Sequence, residues 1–176
     1  MIYQTSYHSP LGPITLASDG THLIGLWFEN QKYYFSNYKE EAVRNDELKI
    51  FRDAKKWLYQ YFNQENPDPD DLLLKFEGSD FRCQVWNILR TIPYGKTMTY
   101  GEIAHKIAKT NQLKSMSSQA VGNAVGHNPI SIIIPCHRVI GSNNSLVGYA
   151  GGIDKKIKLL ELEGLDISQY SLPKKH

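Results

Sequence analysis

Residues 131–141, Ser-Ile-Ile-Ile-Pro-Cys-His-Arg-Val-Ile-Gly, constrain this chain more than any other stretch. Ser131-Ile132-Ile133-Ile134 is a β-branched run, the composition of a buried strand. Pro135 stops it, because proline has no backbone donor for a sheet ladder. Cys136, His137 and Arg138 follow at once, placing a thiol, an imidazole and a guanidinium on consecutive residues. A strand anchored in the core that ends on reactive groups holds them in fixed positions. That suits a nucleophile better than a core thiol.

A chain of 176 residues, 41% hydrophobic and 22% charged, suits one compact domain or two small ones with an ordinary core. Two cysteines, Cys83 and Cys136, are too few for a disulfide framework. The N-terminus lacks the basic and apolar regions of a signal peptide, and no apolar run approaches membrane-spanning length. Together these point to a soluble protein of a reducing, cytoplasmic setting. Charge is uneven. Residues 1–76 carry 8 Lys/Arg against 11 Asp/Glu, whereas residues 77–176 carry 12 against 7, so a polyanion would meet the back half.

The first half, residues 1–76, reads as a small α/β scaffold. Strands are expected at Ile2–Tyr7, Ile14–Ala17 and His22–Phe28, joined by turns at Ser9–Pro13 and Ser18–Gly20. From about Asp46 the apolar spacing lengthens to that of an amphipathic helix through Phe62, and Leu72–Phe76 follows as a final strand. The aromatic Tyr33–Tyr38 segment lacks a basic cluster and is expected to pack on the meander rather than stack bases. His8 and His22 have no ligand-spaced partner, so no metal site is expected.

The second half, residues 77–165, reads as helical, with residues 166–176 a loosely docked or disordered tail. Ser79 opens a helix with Phe81, Val85, Ile88 and Leu89 on its apolar face, ended at Pro93-Tyr94-Gly95; Cys83 on it reads as core filling. Thr99 and Glu102 fit a capping box for a second helix. Ser117 or Ser118 caps a third, closed before Pro129, whose small residues at 120, 122, 124 and 126 allow close backbone approach. Two short helices and then a strand is the order of a helix-turn-helix with a wing. Gly148–Gly152 is a glycine-rich turn without phosphate-loop spacing. Asp154 is the candidate cap of the last helix, which ends with Gly164 in the C′ position.

Cysteine attacks as thiolate, and at its ordinary pKa only a few per cent is ionised at neutral pH, so a base is needed. His137 is the candidate, meeting Cys136 across the turn at Pro135 or through a water. Glu161 or Glu163 on the last helix supplies the carboxylate that orients the imidazole. The plainer alternative is a buried structural thiol beside a satisfied histidine.

Ile134-Pro135-Cys136-His137-Arg138-Val139 resembles the active-site signature of the 6-O-alkylguanine-DNA alkyltransferases. The resemblance extends in order through Phe81, Val85-Trp86, Ile92–Gly95, Thr99-Tyr100, Ala120–Gly122, Asn128-Pro129, Gly148–Gly152 and Leu159–Gly164, covering residues 79–164. It implies an α+β protein: a small ribonuclease H-like α/β domain followed by a mostly helical winged helix-turn-helix domain. It further implies Cys136 as alkyl acceptor, His137 activating it through a water, and Glu163 rather than Glu161 as the orienting carboxylate. Asn128 would belong to the hinge between recognition helix and active-site strand, and Tyr100 would lie by the extruded nucleotide. Val147, Tyr149, Ala150 and Gly151 would close over the base, with the carbonyls of Cys136 and Val139 accepting from its amino group. Gln119, Ala120, Gly122 and Arg138 would meet duplex DNA at its minor groove and flip the damaged base. No cofactor, no membrane and a monomer are implied.

Two positions depart from the family's pattern. Gln119 stands where an arginine finger is common, and Ala150 where a serine is frequent. The competing functions are a non-catalytic binder of alkylated DNA, a Cys–His hydrolase and a helix-turn-helix regulator.

Overall fold

The computed structural model describes residues 1–35 and 41–172 of a mixed α+β protein. Its chain divides into two compact units, Met1–Glu77 with Pro129–Ile133, and Gly78–Asn128 with Ile134 onward. No helix among the described residues is long and apolar enough to cross a membrane.

The first unit is a four-stranded sheet in the order β3-β2-β1-β4, with β1 Ile2–Ser9, β2 Gly12–Ser18, β3 Leu23–Phe28 and β4 Ala42–Arg44. The β1–β2 hairpin closes on Pro10 and Leu11, and Gly12 leaves it at φ +109°, a conformation open to glycine. At the next turn the Asp19 carboxylate accepts from the Thr21 and His22 amides (2.9 and 2.7 Å). Along β3, residues 25 and 27 share a face, and the Trp27 indole lies across Gly25; a Cβ there would meet the ring at 2.0 Å.

Helix α1, Lys49–Phe62, buries Ile50, Phe51, Ala54, Trp57, Leu58 and Tyr61. It starts later than expected because Asp46 is committed elsewhere, its carboxylate accepting from Thr5 Oγ1 on β1. The parallel strand β4 was not foreseen, being short and paired at long range with β1. Leu72–Phe76 is no strand: Leu74 makes one bridge to Leu23, flanked by Leu23 N to Leu73 O at 2.8 Å and Lys75 N to Leu23 O at 3.0 Å. In the aromatic segment Phe35 packs on Trp27 (ring centroids 4.4 Å apart), and Tyr34 donates to Thr15 Oγ1 at 2.9 Å while remaining partly exposed. Ser36, Asn37 and Tyr38 lie outside the described residues.

The second unit carries α2 Asp80–Leu89, β5 Met98–Thr99, α3 Tyr100–Thr110, α4 Ser118–Gly126, β6 Val139–Ile140 and α5 Ile153–Leu162. Ser79, Thr99 and Ser117 cap α2, α3 and α4, each hydroxyl accepting the amide three residues on. Trp86, wholly buried, joins α2 to α4 through Nε1 to Ala124 O (2.8 Å). Strands β5 and β6 pair in parallel, an unforeseen link between the start of α3 and the residues just beyond Arg138.

Asp154 does not cap α5. Gly152 holds that position at φ +100°, and Asp154 lies in the first turn, where a negative charge suits the helix dipole. Gly164 ends the helix at φ +91° as expected. Cys83 is half-exposed rather than core. Residues 165–172 are docked: Leu165, Ile167 and Tyr170 pack on Ile140, Leu146 and Leu160, and Leu146 N donates to Ser171 O at 2.8 Å. The Lys174–His176 end lies outside the described residues.

The run at Ile132–Ile134 is buried but is not a strand. Ile132 sits at φ +71° and Ile133 N turns back to Ser131 O (2.8 Å). Ile134 O receives the Asn128 side-chain amide at 2.8 Å and the Cys136 amide at 2.8 Å. These short-range bonds use the donors and acceptors that a ladder would need, so the chain coils into its reactive residues.

Candidate active site

Pro135, at φ −82° and ψ 66°, leads into a single 3-10 turn, Cys136–Arg138. In a strand the side chains of adjacent residues would point to opposite faces; the turn does not impose that alternation. All three side chains are buried, Cys136 at 5% exposure and His137 at 0%.

His137 Nε2 lies 2.6 Å from Glu163 Oε2. Arg138 grips the same carboxylate, Nε to Oε1 at 2.8 Å and Nη2 to Oε2 at 3.2 Å, while the Gly95 amide donates to Oε1 at 3.0 Å. Burial works against the charged carboxylate, but hydrogen bonds and charge from His137 and Arg138 outweigh it and hold Glu163 well below the usual carboxylate range. An ionised carboxylate only accepts, so Nε2 carries a proton and Nδ1 is the basic nitrogen of a neutral ring. Burial lowers the His137 pKa; Glu163 opposes this, while the Arg138 and Lys156 charges reinforce it.

Arg138, expected on the DNA-binding face, is instead turned inward and buried. The expectation fails because its guanidinium is consumed inside: besides Glu163 it donates Nη1 to Ile92 O at 2.7 Å and lies 5.8 Å from the Tyr94 ring centroid. Gly95, which reads in the sequence only as a helix stop, does two things here. Its amide fixes Glu163, and its φ of +76° with the Glu163 carbonyl 3.1 Å from an ideal Cβ leaves little room for a side chain.

Tyr100, the first residue of α3, donates its hydroxyl to Val147 O at 3.2 Å. Burial first, and negative charge at Cys136 second, push its pKa up to about 12, so the phenol remains a proton donor across the physiological range. Gly122 on α4 faces the Tyr100 ring. Asn128 is buried and holds the carbonyl two residues before Cys136. Val139 is buried, whereas Val147, Tyr149, Ala150 and Gly151 line a half-buried loop that turns at Gly148 (φ +62°). Gln119 stands exposed near the start of α4 and Ala120 beside it is half-buried.

Sequence reasoning missed Lys156. It lies on α5 at 0% exposure, its ammonium donating to Val139 O at 2.5 Å, Val147 O at 3.0 Å and Gly148 O at 3.1 Å. Burial pulls its pKa down to about 8, with negative charge at Cys136 working the other way. A depression of this size corresponds to about 3 kcal/mol against the ammonium. Lys156 is one of three lysines in α5, and only its spacing from Leu159 and Leu160 hints at an inward face.

Two family models match the chain: 6-O-methylguanine DNA methyltransferase, ribonuclease-like domain, over residues 2–75, and the DNA binding domain of the same enzyme over residues 80–165. The chain belongs to the 6-O-methylguanine DNA methyltransferase family. Within it, the methylated-DNA–protein-cysteine methyltransferase of Methanosarcina acetivorans is 45% identical over 93% of this chain and 99% of its own length. That of Mycobacterium tuberculosis is 44% identical over 93% of each chain. Among solved structures, M. tuberculosis OGT in complex with DNA aligns with a TM-score of 0.80 at 40% identity, covering 96% of this chain and 95% of that one. An O6-methylguanine DNA methyltransferase from Methanococcus jannaschii aligns over 100% of both chains at 32% identity and a TM-score of 0.64.

Proposed function

We propose that this chain repairs DNA by moving the alkyl group of 6-O-methylguanine onto Cys136 in one irreversible transfer. The observation that carries this is the buried Cys136–Arg138 turn, with His137 held 2.6 Å from an ionised Glu163, in a chain of this methyltransferase family. The thiol gives its proton to His137 Nδ1 through a water, and the thiolate attacks the sp³ carbon. The S–C bond forms as the C–O bond breaks. The electron pair goes to guanine, which takes a proton from Tyr100; the proton held by His137 replaces it. A thioether offers water no carbonyl to attack, so one molecule repairs one lesion.

Gln119, Ala120 and Gly122 on α4 form the face that enters the minor groove and turns the damaged base out of the stack. Val147, Tyr149, Ala150 and Gly151 then close over the base, with the carbonyls of Cys136 and Val139 near its amino group. Residues 77–165 bind DNA and accept the alkyl group; residues 1–76 serve as scaffold. The protein acts as a cytoplasmic monomer without a cofactor, because the thiolate is itself the acceptor.

The test is to incubate the protein with a duplex oligonucleotide carrying 6-O-methylguanine and weigh its tryptic peptides. The Cys136 peptide gains a methyl group in place of a hydrogen, and Cys136→Ala gains none. An unmodified Cys136 peptide, with the lesion still in the DNA, overturns the proposal.

A further inference from the structure

Just before the nucleophile the chain passes from the second unit to the first and back: Asn128 and Ile134 belong to the second, Pro129–Ile133 to the first. There it runs parallel to β3, Leu26 N donating to Pro129 O (2.9 Å) and Ser131 N to Leu26 O (3.1 Å). One further rung of a parallel ladder would carry Phe28 N to Ser131 O. Instead Ser131 O receives Ile133 N at 2.8 Å, and the Gln31 side chain takes the rung. Its Oε1 accepts from Phe28 N at 3.1 Å and from Ser131 Oγ at 3.3 Å. We infer that Gln31 is a positioning residue for alkyl transfer, which ends the β3 ladder at Ser131 and so fixes where the chain coils toward Cys136.

Several observations support this. Gln31 and Ser131 are both buried, so their bonds are made within the protein rather than shared with solvent. The coil is conformationally costly, since Ile132 is β-branched and sits at φ +71°, a region such residues avoid. Straightening residues 131–133 into another rung would relieve that cost. The Gln31 carbonyl opposes it by occupying the Phe28 amide that a straight ladder would use. At the other end of the coil the Asn128 side chain holds Ile134 O at 2.8 Å. Only Ile132 and Ile133 lie between these two held points, and Cys136 follows Ile134 after Pro135. A shift at Ser131 is therefore passed along the chain to the thiol.

The inference takes its purpose from the proposed alkyl transfer, but one of its readouts needs no DNA. In a Cys83→Ser background, Gln31→Met, Gln31→Glu, Ser131→Ala, Gln31→Met with Ser131→Ala, and Gly25→Ala are compared with the otherwise wild-type protein. Methionine keeps the length of glutamine without its carbonyl, whereas glutamate keeps the acceptor. Single-turnover methyl uptake is measured over a range of methylated duplex concentrations. Amide exchange over residues 131–136 and alkylation of Cys136 by iodoacetamide are followed without DNA.

Gln31→Met should lower the limiting uptake rate about 10-fold and leave the half-saturating DNA concentration unchanged, while speeding both amide exchange and iodoacetamide alkylation. Gln31→Glu should recover most of the rate. Ser131→Ala should slow uptake a few-fold, and the double variant should be no slower than Gln31→Met alone, because both act through one contact. Gly25→Ala, which disturbs the same unit away from this contact, should keep the wild-type rate. An unchanged limiting rate in Gln31→Met, a loss shared equally by Gly25→Ala, or no recovery in Gln31→Glu overturns the inference. If Gln31→Met does not fold, Ser131→Ala decides: an unchanged limiting rate there overturns it as well. If the wild type itself takes up no methyl group, the proposed function falls, and amide exchange and alkylation in Gln31→Met still decide whether Gln31 holds the coil.

Discussion

The two units bury polarity in different ways. In the first, the buried polar side chains among the described residues are neutral: Thr5, Ser18, Gln31 and Ser131. In the second, the described residues bury His137, Arg138, Lys156 and Glu163 besides the neutral Asn128. A scaffold gains nothing from an interior charge, since desolvation costs as much as or more than a good pair returns. Four ionisable groups buried in the unit that also holds Cys136 instead suit catalysis, which uses a base of fixed tautomer, a carboxylate to hold it, and positive charge.

The comparison breaks most severely at Glu163. Glu163→Gln leaves the Arg138 guanidinium buried without its counter-charge and frees His137 to adopt the other tautomer. Methyl uptake should fall by at least ~100-fold and stability by about 3–5 kcal/mol, read by quench-flow mass spectrometry and urea denaturation. Undiminished uptake would separate Glu163 from the chemistry.

Gly25→Ala probes the other unit. Its Cβ cannot coexist with the Trp27 ring where it now lies, and the overpacking should cost about 1–3 kcal/mol. Methyl uptake per folded molecule should be unchanged, and a slowed single-turnover rate would contradict the division of labour.

Acid should separate the units without any mutation. His137 titrates below its ordinary 6.5 and Glu163 below its ordinary 4.5 in the fold. Below those ordinary values the unfolded chain therefore binds more protons than the native one, and stability falls as pH falls. The loss from His137 begins below about pH 6.5 and that from Glu163 is added below about pH 4.5. Hydrogen exchange should show α5 and the residues around β6 opening before the β1–β2 hairpin as pH falls from 7 to 4. Equal sensitivity in both units would deny the contrast.

The smallest effect is expected at Gln119. Exposed on α4 and uncharged, it releases no counterion on DNA; Gln119→Arg should tighten binding a few-fold and steepen the salt dependence by about one unit of slope. An unchanged slope would remove this residue from the DNA face.

What the sequence disclosed follows from the range of the interactions. Caps are local, so Ser79, Thr99 and the closing Gly164 were legible from neighbouring residues, and Ser117 as one of two candidates with Ser118. So was a turn at Pro135. The coil at Ile132–Ile134 was not, because β-branched composition marks burial as much as extension, and the bond from Asn128 that bends the run depends on the folded helix before it. The short parallel pairs β1–β4 and β5–β6 carry too few residues to show a period. Arg138 and Lys156 were hidden for a different reason: long cationic side chains are usually solvent-exposed, and their burial is visible only once the acceptors that receive them are in place. Glu163 was singled out by family resemblance, whereas the residues alone left Glu161 equally open; the bond to His137 decides between them.

The central claim is that these buried charges serve a single transfer, and the stoichiometry of that transfer tests it most directly. Wild-type protein is mixed with a large excess of duplex carrying 6-O-methylguanine, and intact mass is followed to completion. The mass should plateau at one methyl group per chain, on Cys136, with lesion loss in the DNA equal to the protein supplied. Continued lesion loss beyond that equivalence, or DNA repaired while Cys136 stays unmodified, would contradict it.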